Sequence, residues 1–172
     1  MHKLSLFGFA LLLSQALPLH HLLAQTKPTT VVSPDKNLQM ELFFTQDQLQ
    51  YRVLYKGKPV IEPSTLGLQL NQRKLGKGSS FGTVKRTSVN ETYAWRGVHS
   101  KAVNRYNEAI LPVQGGSSAP SFQLETRVFN DGVALRYVVG QTGASTTTAD
   151  NTRFTLPAGS TVWTQPDIGN YE

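Results

Sequence analysis

The apolar residues of this chain recur at every second position. Leu38, Met40, Leu42 and Phe44 alternate with polar neighbours, and Leu49, Tyr51, Val53 and Tyr55 repeat the pattern after a turn at Gln46-Asp47-Gln48. Period two puts every apolar side chain on one face of a strand. "YKGKPV" predicts the next turn, and Leu66, Leu68 and Leu70 share a face beyond it. A Gly- and Ser-rich loop from Gly76 to Gly82 precedes two further strand-like runs, "FGTVKRTSVNETYAW" and "NRYNEAILPV". "QGGSSAPS" reads as a flexible break, "GQTGASTTTADN" as a polar loop, and "TRFTLPAGSTVWTQPD" as two short strands around Pro157-Ala158-Gly159. No apolar run at helical spacing lasts three turns. Short strands separated by turn signals about every 8–12 residues predict an all-β antiparallel sandwich.

The first residues follow a different rule. "MHKLSLFGFALLLSQALPLHHLLAQ" combines Lys3, an apolar run from Leu4 to Leu13 and a small residue, Ala24, at a cleavage point. That is the pattern of a secretory signal peptide over residues 1–24. The run is shorter than the roughly 20 apolar residues a bilayer span needs, and Pro18 and two histidines follow it. The expected mature chain, residues 25–172, is exported to the periplasm or the extracellular space and does not span the membrane. With no cysteine anywhere, it has neither a lipid-anchored leader nor a disulfide. One domain of this size must stand on its core.

Net charge is +6, and without Lys3 there remain 16 cationic residues against 11 acidic ones. The basic residues lie singly along strands and loops, "NQRKLGKG" being the nearest to a cluster. Neither a recognition helix nor a basic stripe studded with aromatics is present, so nucleic acid is not an expected partner. Past the leader, His99 is the sole histidine, which excludes a histidine-rich metal site, and no nucleophile-elbow motif supports a serine triad. The spacing of the eleven carboxylates identifies no hydrolytic pair.

"LETRVFNDGVALRY" contains the strongest hairpin signal, Asp131-Gly132 between alternating runs. A two-residue loop there pairs Val128 with Leu135 and Thr126 with Tyr137, and sets Arg127 opposite Arg136. Two opposed cations need an anion, and Glu125 lies within diagonal reach on the same face. Three roles compete: a structural network of Arg127, Arg136, Glu125 and Glu108, a docking surface for acidic groups, and direct sugar contact. The network is the reading adopted.

"VVSPDKNL", "LQYRVLYKGKPVIEPSTLGLQL", "RYNEAILPV", "NDGVALRYVV" and "NYE" follow one another in an order and spacing that resembles the N-terminal domain of glycoside hydrolase family 97. These are exported α-glucosidases and α-galactosidases of Bacteroidetes-type bacteria, and the likeness runs from about Val31 to Glu172. Two departures are mild: Lys36 stands where members commonly have glycine, and Leu135 where they commonly have phenylalanine.

The resemblance implies a galactose-mutarotase-like β-super-sandwich, followed in such enzymes by a catalytic (β/α)₈ barrel and a small β-domain. It implies that the catalytic carboxylates lie on the barrel, which would begin about where this chain stops. By itself this chain is then expected to be inactive. Its expected partners are that barrel and a carbohydrate, an α-glucan or an α-galactoside. The resemblance also implies a calcium ion near the substrate in the full-length enzyme, with Glu172 of "NYE" as one ligand. One carboxylate does not make a site of six to eight oxygens, so tight calcium binding is not expected of this chain alone. Trp95 and Trp163 can each be a core residue or a stacking platform for a sugar ring, and Trp163 is the better candidate because it lies near Glu172. The alternative functions are a stand-alone exported module that binds glycan or protein, and a complete small enzyme using its own carboxylates.

Overall fold

The computed structural model describes residues 27–71, 73–116, 120–140 and 148–164. The expected signal peptide, the "QGGSSAPS" and "GQTGASTTTADN" segments in part, and Glu172 lie outside them.

Alternation becomes strands wherever the sequence carries it. A four-stranded antiparallel sheet runs β1 (Thr29–Val32), β2 (Leu38–Thr45), β3 (Gln48–Tyr55) and β4 (Lys58–Thr65) in spatial order. Its β2–β3 and β3–β4 hairpins close on two residues each. Gln46 and Asp47 both have positive φ (49° and 60°), as do Lys56 and Gly57 (49° and 77°), and Thr45 pairs Gln48 while Tyr55 pairs Lys58. Turns of this hand match the right-handed twist of the strands they join. Between β1 and β2 the chain turns through Lys36 at φ 65°, the left-handed conformation for which glycine is best suited. The turn survives without glycine because Asp35 ties it down. Its carboxylate accepts bonds from the Ser33 hydroxyl (2.5 Å) and the Asn37 amide N–H (3.1 Å), which hold the Asp35 carboxyl below its ordinary range.

A second antiparallel sheet holds β7 (Ser80–Phe81), β8 (Lys85–Ala94), β9 (Lys101–Gln114), β10 (Phe122–Phe129) and β11 (Val133–Val139). Its order is β11-β10-β9-β7, with β8 also pairing β9. A small third sheet orders β12 (Thr148–Asp150), β5 (Leu68–Leu70) and β6 (Arg73–Lys74). Among the described residues there is no helix. The expected loop from Gly76 to Gly82 contains the short β7, which pairs the far end of β9.

The two large sheets pack face to face, as two half-apolar sheets must. Met40, Leu42 and Tyr51 from the first meet Leu111, Leu124 and Val128 from the second, each 0–1 % exposed. Burying such a side chain fully stabilises the fold by about 1.5–3 kcal/mol. The alternation read from the sequence is the alternation that fills this core.

The end of the chain departs from expectation. Residues around Pro157-Ala158-Gly159 form no pair of strands. Instead the segment after β12 runs antiparallel along the outer edge of β4. Arg153 N–H donates to Thr65 O (3.0 Å), Glu62 N–H to Thr155 O (2.8 Å) and Asn151 N–H to Gly67 O (2.7 Å). These bonds skip residues and make an isolated bridge rather than a ladder, which is why alternation alone suggested a self-contained hairpin. Gly67 permits the approach: a Cβ there would stand 3.2 Å from Asn151 Cβ and from its carbonyl oxygen.

Two phenols brace this closure. Tyr51 Oη donates to Arg153 O (3.0 Å), and Tyr137 Oη lies 3.0 Å from Thr152 Oγ1. Burial pushes both up to about 12, with mutual repulsion adding to Tyr51 and Asp150 to Tyr137. The folded state therefore holds these protons above the ordinary value of 10. Their contribution to stability is whole below pH 10 and is lost as pH rises towards 12. Absorbance at 295 nm is expected to show two late-titrating tyrosines, and unfolding midpoints should fall between pH 10 and 12. The variant Tyr51→Phe/Tyr137→Phe should lack the late phase; its persistence would disprove the assignment.

Candidate functional surface

The outer face of the second sheet carries the charged residues singled out above. The β10–β11 register differs from the one expected. Glu125 is opposite Arg136, Thr126 opposite Leu135 and Arg127 opposite Ala134, so the two arginines do not face each other. The loop closes on Asn130-Asp131, with Phe129 N–H donating to Gly132 O (2.8 Å), rather than on Asp131-Gly132. None of these three loop residues has positive φ, so the primed turn that Asp-Gly favours is not used. The difference is two residues, an even number, so every side chain keeps its face and only the cross-strand partners change.

The corrected register gives each arginine a carboxylate. Arg127 Nε donates to Glu108 Oε1 of the neighbouring β9 (2.7 Å), its direct cross-strand partner. Arg136 Nε donates to Glu125 Oε2 (2.6 Å). The Arg127 guanidinium also lies 4.7 Å above the Tyr106 ring, which in turn packs on Phe129 (5.1 Å). The bond to Glu108 is the main reason the Arg127 proton is held more firmly than usual. Half-exposed pairs of this kind contribute about 0–1 kcal/mol each. Their effect is to neutralise the face, since both cations are already satisfied.

A third pair escaped the sequence reading. Glu41 on β2, only 7 % exposed, accepts from Arg52 Nε on β3 (2.5 Å) and from Gln39 Nε2 (2.6 Å). Glu41 and Arg52 are direct cross-strand partners, but that relation became visible only once the Gln46-Asp47 turn fixed the register. Glu41, Glu108 and Glu125 are thus all engaged with arginine. Hydrolysis of a glycoside needs two carboxylates free to exchange protons with a substrate. Among the described residues no group of three His, Asp or Glu side chains converges on a point where a cation could sit.

An open cleft of about 660 Å³ lies where β3, the third sheet and the returning segment meet. Lys74, Lys77 and Arg153 line it with the amides of Gln48, Gln69 and Asn151, and among the described residues no carboxylate does. It can accept a polyhydroxylated or anionic group.

The aromatic candidates are on the surface. Trp163 is 92 % exposed and Trp95 59 %, so neither is a core residue. Trp163 follows Val162 on the way to the residues that include Glu172. Trp95 sits at the end of β8, edge-on to Tyr93 at 6.2 Å and 71°. His99 is exposed in the same turn.

A family model described as "Glycosyl-hydrolase 97 N-terminal" matches residues 31–172. The chain is 32 % identical over 137 residues to a probable retaining alpha-galactosidase of Streptomyces bingchenggensis, covering 79 % of this chain and 21 % of that protein. It is 28 % identical over 116 residues to a retaining alpha-galactosidase of Bacteroides thetaiotaomicron, covering 65 % and 16 %. A glycoside hydrolase family 97 enzyme from Pseudoalteromonas sp. strain K8, solved with panose, superposes with a TM-score of 0.69 at 24 % identity, over 76 % of this chain and 20 % of that one. A beta-arabinopyranosidase superposes at 0.64, also at 24 % identity, over 75 % and 21 %. This chain spans about a fifth of the length of the relatives it matches.

Proposed function

This chain belongs to the N-terminal domain family of glycoside hydrolase family 97, and on that premise we propose that it is the supporting sandwich of an exported glycosidase acting on an α-glucoside or α-galactoside. In this reading residues 1–24 are the leader, and residues 25–172 pack on a catalytic barrel and shape the rim of its active site. Trp163, exposed near the end of the chain, stacks on a sugar ring at that rim. Glu172 contributes one oxygen to a calcium ion in the full-length enzyme. The described residues do not hold such an ion by themselves, so no catalytic step is assigned to it.

The observation that carries the reading is the match over residues 31–172. The test is to read the coding DNA beyond Glu172, then assay nitrophenyl α-glucoside and α-galactoside with the complete polypeptide and with this chain. The complete polypeptide is expected to hydrolyse one of them and this chain neither. Turnover by this chain alone would overturn the proposal. A stop codon after Glu172 would instead leave a stand-alone module, for which the cation-lined cleft makes glycan binding the next assay.

A further inference from the structure

The hairpin of β8 and β9 does not end where its sheet ends. The last β10 partner on β9 is Tyr106, opposite Phe129. Beyond it, among the described residues, β9 from Arg105 back to Lys101 pairs only with β8, from Asn90 to Ala94. Five residue pairs at about 3.4 Å each carry this two-stranded ribbon roughly 17 Å past the sheet. All of β8 is exposed except the half-buried Val89. Two strands without a covered face are marginally stable in water. The base is nonetheless anchored: Arg86 Nη1 donates to Thr30 O (2.8 Å) and Asn107 Nδ2 to Val32 O (2.7 Å).

Both faces of the ribbon are built for contact. Tyr93 and Trp95 occupy one face, with Tyr93 46 % exposed, and Val103 (70 %) the other, while Val98 (99 %) stands in the turn. On the ribbon and its turn Arg96, Lys101 and Arg105 meet a single carboxylate, Glu91, which is bonded to Asn104 (2.6 Å). Among the described residues none of these three cations forms an ion pair. That contrasts with the outer sheet face, where each arginine has its glutamate.

We propose that this ribbon is a docking arm that seats on an acidic, partly apolar surface of the larger remainder of the glycosidase polypeptide. The inference rests on the reading of this chain as one domain of such an enzyme, whose relatives are about four times as long. A second copy of this chain fits poorly, because it carries the same net positive charge. A glycan fits poorly too. The Tyr93 and Trp95 rings stand nearly perpendicular rather than as one platform, and the exposed valines suit a protein surface better than a polyhydroxylated one. Burying an aromatic and aliphatic tip within a ring of cations is the usual anatomy of a protein contact.

Hydrogen exchange tests this on this chain and on the complete polypeptide read from the coding DNA. Amides of residues 90–105 are expected to exchange at least roughly tenfold more slowly in the complete polypeptide, with those of residues 109–113 alike in both. Lys101→Glu/Arg105→Glu in the complete polypeptide should abolish that protection while leaving residues 109–113 unchanged, as should Trp95→Ala/Val98→Asp. A reading frame that closes after Glu172 would remove the larger enzyme and the arm's partner together. An open frame with equal exchange in the two proteins would overturn the docking arm alone. Protection of this chain by added polygalacturonate, with none in the complete polypeptide, would assign the ribbon to an acidic glycan and overturn it as well.

Discussion

Replacing Leu124 by alanine is expected to lower the unfolding free energy by about 3 kcal/mol. Leu124 lies in the middle of β10, paired on one side with Leu111 and on the other with Tyr137, and is 0 % exposed. It projects between the two large sheets, where both neighbouring strands and the facing sheet hold the surroundings in place. A void there cannot close without bending three strands, so the cost combines lost transfer energy with a residual cavity. In a domain of ordinary stability, about 5–15 kcal/mol, this is a large fraction. Urea unfolding of residues 25–172 should show a lower midpoint at unchanged slope. Gln123→Ala, one position away and exposed, should change stability by less than about 0.5 kcal/mol. Equal effects at the two positions would mean that the face assignment of β10 is wrong.

Arg52→Ala is expected to cost about 2 kcal/mol, more than the loss of Arg136, the most exposed of the three paired arginines. The reason is the carboxylate left behind. Removing one member of a fully buried pair costs about 3–5 kcal/mol because the other charge is stranded. Here the Arg52 side chain is 41 % exposed, so water reaches the site and the cost is smaller, but Glu41 would keep only the bond from Gln39. Arg136→Ala should cost less, because the Arg136 side chain is 68 % exposed and water screens its pair with Glu125. Urea midpoints of the two variants and of Glu41→Gln/Arg52→Ala separate the causes. If the stranded charge dominates, the double variant is more stable than Arg52→Ala. If the double variant is the worse of the two, the loss is one of packing by the Arg52 stem.

The faces of the strands were legible in the sequence because alternation is set by burial, residue by residue. Leu38, Met40 and Leu42 on β2 and Leu49, Tyr51 and Val53 on β3 all point where their spacing puts them. Turns that need unusual backbone were legible in part: Lys56-Gly57 adopts the conformation its glycine advertises, whereas Asp131-Gly132 does not. There the apolar pattern cannot choose between registers two residues apart, and the outcome follows from pairing Glu125 with Arg136 while Arg127 meets Glu108 on the opposite strand. Long-range placement was not legible. The run along β4 uses bonds that skip residues and a close approach at Gly67, neither of which has a sequence period. The ribbon of β8 and β9 reads as ordinary strands, because what distinguishes it is the absence of neighbours among the described residues. For the candidate site, the sequence brought Arg127, Arg136, Glu125 and Glu108 into one group but assigned the wrong opposition, and it missed Glu41 with Arg52. Glu172 lies outside the described residues, and Trp163 stands on the surface with its ring uncovered.

The late closure of β4 has a consequence during synthesis. Strands β1 to β4 emerge first and can pair at once through their short hairpins. The hydroxyl of Ser64, however, waits for the amide of Thr155, 91 residues further along. At about 5–20 residues per second, the outer edge of β4 stays open for roughly 5–20 s after it leaves the ribosome. Val60 on that strand remains 41 % exposed even in the finished fold. An unprotected edge of this kind is a template for pairing with another nascent chain. The yield of this domain is therefore set by how fast its last residues arrive relative to how often two unfinished copies meet. Slower translation of residues 66–155 should lower the soluble fraction, even though the folded protein is unchanged.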